Sequence, residues 1–169
     1  SNSISRAGEV FNIKINVEMD DEWHIYSIYK SSEGPLPTEI SISGPAVGQI
    51  APVQEPEPFY LYDPGFETDT YYHEGDTEFI LPMRVKRNLA AGKYELYIDV
   101  FYMVCNARLC YPPMTKTDTL LVEIEEGPPR EGFSTFSTIN NENTDSNSSS
   151  NNQSILGILL LAVGGAILS

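Results

Sequence analysis

Apolar and polar residues alternate along most of the chain. In VFNIKINVE, Phe11, Ile13, Ile15 and Val17 fall on one face, and Asn12, Lys14, Asn16 and Glu18 fall on the other. A period of two held over eight residues predicts a half-buried antiparallel strand. The same pattern returns in Phe79, Leu81, Met83 and Val85, in Tyr94, Leu96, Ile98 and Val100, and in Leu120, Val122 and Ile124. GPLP, SGPAVG, HEGD and NLAAGK lie between these runs and supply the turn chemistry. No stretch carries a helical period. Seven or more short strands over residues 9–126 predict an all-β domain, an immunoglobulin-like antiparallel β-sandwich. The paired cysteines and strand tryptophan of antibody domains are missing, since Trp23 has no cysteine at the required separation.

The pattern fails at both ends. Residues 1–8 are expected to be disordered, with Ser1-Asn2 the remnant of a cleavage. Residues 127–154 are rich in Ser, Asn and Thr and hold too little apolar surface to order themselves, so they are expected to form a flexible linker. Residues 155–169 contain ILGILLLAVGGAIL, an uncharged run shorter than the ~20 residues a spanning helix needs. Placed after a polar linker, it reads as the start of a transmembrane helix cut partway. It stands at the wrong end of the chain for a signal peptide.

Charge then narrows the partners. Twenty-four acidic residues against ten basic ones give a formal net charge of −14. Such a surface repels phosphate backbones and anionic bilayers, so nucleic acid is excluded as a natural partner. No nucleophile elbow, phosphate loop or HExxH motif occurs.

The remaining chemistry sits in FYMVCNARLCYPPMTKT, which holds the two cysteines, Cys105 and Cys110. Three readings stay open. A structural bridge would close a loop of about six residues and stabilise by only ~2 kcal/mol, a weak return for a domain with a full core. A redox-active pair suits a local spacing at a strand end and requires no cofactor. A soft-metal site could draw on Met103, Cys105, Cys110 and Met114, a set suited to Cu(I), although methionines beside a strand more often fill cores. Pro112 and Pro113 cannot donate to a sheet, so they end pairing and hold the backbone after Cys110 in one course. Cys105 ends the apolar run LYIDVFYMV and should be the more enclosed sulfur. Cys110, after the loop Asn106 to Leu109, should lie nearer the rim.

CNARLCYPPMTKT resembles the cysteine segment of the amino-terminal domain of the thiol:disulfide interchange protein DsbD family, in which a cysteine pair is followed by Tyr-Pro-Pro and Thr-Lys-Thr. DDEWHIYSIYK resembles the family's early aromatic strand, and YDPGFETDTYYHEGDTEFILPMRV its cap loop and next strand. The resemblance spans about Val10 to Ile124. It differs in one respect: four residues separate the cysteines here, against five in the best-known members. The resemblance implies a periplasmic domain of an inner-membrane protein, with the membrane reached through the region after residue 154. Such a domain accepts electrons from a thioredoxin-like domain of the same full-length protein. It passes them to disulfide isomerases and to thioredoxin-like proteins of cytochrome c maturation. The resemblance also makes Cys110 the partner-linked cysteine and Cys105 the resolving one, places Asp63, Pro64, Gly65 and Phe66 in a cap over them, and puts His24, Tyr26 and Tyr111 in the lining. No cofactor and no metal enter. The reading from another class is a binding or chaperone-like sandwich whose disulfide is structural or whose soft ligands hold copper.

Overall fold

The computed structural model describes residues 3–135, 154–155 and 161–163. Eleven strands follow in chain order over the first of these ranges: β1 (Ser3–Arg6), β2 (Val10–Met19), β3 (His24–Tyr26), β4 (Glu39–Ser43), β5 (Val47–Gln49), β6 (Phe59–Asp63), β7 (Thr68–Glu74), β8 (Thr77–Val85), β9 (Gly92–Tyr102), β10 (Val104–Cys105) and β11 (Met114–Glu125). The described residues include no helix. One sheet has the order β1-β11-β9-β4, a second contains β2-β8-β5, and a third runs β10-β3-β7-β6. Pairing is antiparallel throughout these three, save for β1, which runs parallel to β11.

The alternation read from the sequence accounts for this arrangement. Ile13, Ile15, Val17, Phe79, Leu81, Met83 and Val85 are fully buried from the second sheet. They share one core with Leu96, Ile98, Val100, Val122 and Ile124 from the first. Ile25 and Val104 carry the third sheet into the same core. The chain is therefore an immunoglobulin-like β-sandwich. At the β7–β8 turn Gly75 adopts φ +65°, a conformation that a side chain would oppose.

The segment from Ala51 to Pro58 is secured by a backbone bridge between Gln54 and Ile80 and by one carboxylate. Glu55 accepts from Ser27 Oγ (2.5 Å), from the Ile28 amide (3.1 Å) and from His73 Nε2 (2.9 Å). Burial alone would raise the Glu55 carboxyl, but the bonds from His73, Ser27 and Ile28 prevail and hold it below its ordinary value.

The chain ends pack against the sandwich at two places. Residues 3–6 are ordered as β1, because the edge of β11 offers a free ladder and Ser5 is buried beneath it. Residues 127–133 are held to the sandwich by Glu9, whose buried carboxylate takes the Arg130 guanidinium through Nε (2.8 Å) and a terminal nitrogen (2.6 Å), together with the Arg130 amide (2.8 Å). Arg130 also lies over the Phe133 ring at 4.5 Å, and Phe133 accepts from the Val10 amide at 2.7 Å. Ser154–Ile155 and Leu161–Val163 pair in parallel with β2. The rest of the expected linker and spanning helix lies outside the described residues. Among those described, no helix is long and apolar enough to cross a membrane.

The Glu9 ion pair predicts a specific stability loss. Burial would raise the Glu9 carboxyl, and the bonds from Arg130 and Arg6 outweigh it, leaving its pKa below the ordinary 4.5. Stability from Glu9 is thus complete above that value and is lost as pH falls through the lowered pKa. Arg130→Ala leaves a buried carboxylate underpaired, at a cost of about 2 kcal/mol, and Tm falls by roughly 5–10 °C at pH 7. Melting curves recorded down to acidic pH should show the gap to wild type closing as Glu9 becomes protonated.

Candidate redox site

Cys105 and Cys110 form a disulfide, the S–S distance being 2.05 Å. The intervening residues form a tight hairpin. The Asn106 amide donates to the Leu109 carbonyl (2.8 Å), and the Asn106 side-chain oxygen accepts from the amides of Arg108 and Leu109, each at 2.9 Å. Asn106 thus satisfies the turn with its own side chain. On the far side, the Tyr111 amide donates to Val104 at 2.9 Å, and Cys105 and Cys110 face each other as a bridge pair. Pairing stops at Pro112 and Pro113 and resumes only at Met114, opposite Tyr102. The prolines therefore end the hairpin ladder, as their missing N–H requires.

The two cysteines occupy different environments. Cys105 belongs to β10, pairs with His24 of β3 and is only 2% exposed. Cys110 follows the turn and is exposed. The expected asymmetry between them is present.

The β10–β3–β7–β6 ladder surrounds Cys105 with aromatic rings. The Tyr26 hydroxyl donates to Cys105 Sγ at 3.3 Å. Burial raises the Tyr26 phenol to about 12, with Asp63 adding to the shift, so it remains a proton donor at any working pH. His24 Nε2 lies 3.5 Å from the Tyr26 oxygen. Because the phenol proton is directed at sulfur, its oxygen can accept from the imidazole N–H. Burial lowers the His24 pKa below 6.5 against the opposing pull of Glu74 and Asp63, leaving the ring neutral at pH 7. Tyr72, opposite Tyr26 in the ladder, stands 5.0 Å from the His24 ring and 5.8 Å from Phe59.

Asp63 to Glu67 form a tight turn beside the Tyr26 ring. Asp63 Oδ1 accepts from the Gly65 amide (2.7 Å) and the Phe66 amide (3.4 Å), closing a turn that Pro64 starts. Glu67 completes it at φ +54°, an uncommon conformation for a residue with a side chain. This turn brings Phe66 edge-on to the Tyr26 ring, centroids 6.4 Å apart. Phe66 remains 37% exposed, so it lies over the tyrosine that contacts Cys105 and outside the sandwich core. Tyr111 stacks on Trp23, with centroids 5.1 Å apart and planes 10° from parallel, which anchors the backbone next to Cys110.

The proposed soft-ligand set is divided. Met103 packs with Tyr26 and Cys105, whereas Met114 packs against the main core. Among the described residues, no group of three or more His, Cys, Asp or Glu is placed to hold a metal ion. Two contributors escaped the sequence reading. Tyr72 could have been found from its alternation with Thr70 on β7. The Trp23–Tyr111 stack joins residues far apart in the chain, and no local signal announces it.

A model of the family described as "Thiol:disulfide interchange protein DsbD, N-terminal" matches residues 2–122. The chain belongs to the DsbD N-terminal domain family. Membership carries thiol:disulfide interchange, a redox activity, and the bonded Cys105–Cys110 pair is the group able to perform it. Among solved structures, the DsbD N-terminal domain of Neisseria meningitidis in its reduced form is similar at 15% identity. That match covers 60% of this chain and 69% of the other, with a TM-score of 0.39, too loose to bear on the site. No curated protein matches the chain.

Two substitutions probe the site. Tyr26→Phe removes the donor to Cys105 Sγ while keeping the ring, and should slow reduction of the disulfide by dithiothreitol by roughly tenfold. That factor corresponds to one hydrogen bond to a sulfur that departs as thiolate. Phe66→Ala should raise the rate at which iodoacetamide alkylates the reduced cysteines. An unchanged rate would remove Phe66 from any shielding role.

Proposed function

We propose that this domain is a periplasmic dithiol–disulfide relay in which Cys110 forms the bond to partners and Cys105 resolves it. The observation that supports this most directly is the asymmetry of the pair: one buried sulfur accepting a hydrogen bond from Tyr26, joined to one exposed cysteine on a fixed hairpin.

Charging the domain takes two steps. A donor thiolate attacks Cys110 Sγ, the Cys105–Cys110 bond breaks, and Cys105 leaves as a thiolate that acquires a proton. A second donor thiol then attacks the donor sulfur in the mixed disulfide and releases Cys110. The domain has gained two electrons and two protons, and the donor is left as a disulfide. Discharge runs in reverse: the Cys110 thiolate attacks a partner disulfide, and Cys105 displaces the partner by attacking Cys110 Sγ.

In this reading the Tyr26 phenol stabilises Cys105 as it departs, and a neutral His24 holds the phenol in position. Phe66 and its turn cover the pair between encounters. Electrons arrive from a thioredoxin-like domain of the same full-length protein, itself in an inner-membrane protein joined through the region after residue 154. They leave to thioredoxin-like acceptors, namely disulfide isomerases and cytochrome c maturation proteins. No bound cofactor takes part.

Trapping assigns the roles. With a thioredoxin-like partner carrying one active-site cysteine, Cys105→Ser should accumulate a mixed disulfide through Cys110, and Cys110→Ser should not. The opposite pattern inverts the assignment. A midpoint potential below about −300 mV in dithiothreitol buffers would make the bridge a structural one and end the relay reading.

A further inference from the structure

Strand β6 is the free edge of the β10-β3-β7-β6 sheet among the described residues. Its residues Phe59, Tyr60, Leu61 and Tyr62 are 55, 59, 58 and 56% exposed. Four large apolar side chains in succession on an unpaired edge form an uncommon surface, because such edges are usually covered or charged. Prolines bracket this one, with Pro58 before it and Pro64 after it. They limit any added strand to about five residues and prevent the ladder from growing further.

Both faces of the edge are ready for contact. On the face shared with the disulfide, Phe59 leads through Tyr72 to His24, whose strand pairs with Cys105. On the opposite face Tyr60 and Tyr29 both pack against Tyr71, at 5.2 and 4.9 Å. An added strand would thus find aromatic rings above and below and a continuous path toward the disulfide.

Charge selects the occupant. No Lys or Arg occurs from Ser31 to Met83, while Glu57, Asp63, Glu67, Asp69 and Glu74 stand on or beside the hairpin. A second copy of the chain would bring the same acidic hairpin and a net charge of −14 to the contact, which like-charge repulsion opposes. A strand bearing Lys or Arg among apolar residues is complementary in charge and in shape.

Resting on the relay reading above, we propose that β6 docks an extended, lysine- or arginine-bearing segment of the redox partner by strand addition. The partner's backbone completes the sheet edge, its apolar side chains meet the exposed rings, and its cations meet the carboxylates. The added strand lies at the edge of the sheet opposite to β10, so it anchors the partner while another part of the partner carries the reacting cysteine.

The probe is a synthetic hexapeptide without cysteine, Lys-Val-Lys-Ser-Val-Lys, titrated into the isotopically labelled protein and followed by backbone amide shifts. A glutamate twin and a twin with proline for valine serve as controls. The lysine peptide should bind at least about tenfold more tightly than the glutamate twin at low ionic strength, lose that advantage as salt is added, and shift the amides of Phe59 to Tyr62. Leu61→Lys and, independently, Tyr62→Lys should abolish this binding. Equal binding by the proline twin, shifts that spare β6, or undiminished binding in both variants would overturn the proposal. Shifts at β6 that grow with protein concentration alone would identify a second copy as the occupant and overturn it equally. Reduction by dithiothreitol is measured on the same samples, and its failure would count against the relay while leaving the docking result to stand.

Discussion

The pairing of Cys105 with His24 across β10 and β3 is the contact on which the site depends. It buries one sulfur inside a ladder and leaves its bonded neighbour on a turn outside. It also sets which rings face the sulfur: because side chains alternate, His24 and Tyr26 come to the cysteine face while Ile25 points into the core. A one-residue slip would exchange these roles and bury a histidine where an isoleucine belongs. The sandwich core and the redox face are thus one register read from its two sides.

The same geometry divides the labour between two kinds of order. The core holds by apolar area and tolerates gradual change. The site holds by a short list of directional contacts: a phenol on sulfur, an asparagine closing a turn, an aspartate closing another, and a tryptophan stacked beside the exposed cysteine. Each is local in effect, and each fixes one part of the surroundings of the Cys105–Cys110 pair.

Much of this was legible in the sequence. The period of two in β2, β8 and β9 identified the core faces because packing against one hydrophobic layer leaves a periodic trace. The Asp63 turn was legible for a different reason: Asp, Pro and Gly express backbone geometry in their own covalent structure. β1 was not legible, since four residues of SISR make a strand only where β11 offers an edge. Nor was the docking of residues 127–133, which rests on one arginine finding a buried carboxylate more than a hundred residues earlier. Long-range partners leave no periodic mark, and the Trp23–Tyr111 stack is silent for the same cause.

The hairpin around the cysteines has one more consequence. Asn106 to Leu109 and Val104 to Tyr111 are already joined by backbone hydrogen bonds, so the sulfur bond links residues that the fold has brought together without it. Opening it releases very little chain freedom. The hairpin backbone is therefore held by its own hydrogen bonds beside the sulfur bond. In thiol:disulfide interchange, direction is set by the relative electron affinities of the two sulfur pairs in contact.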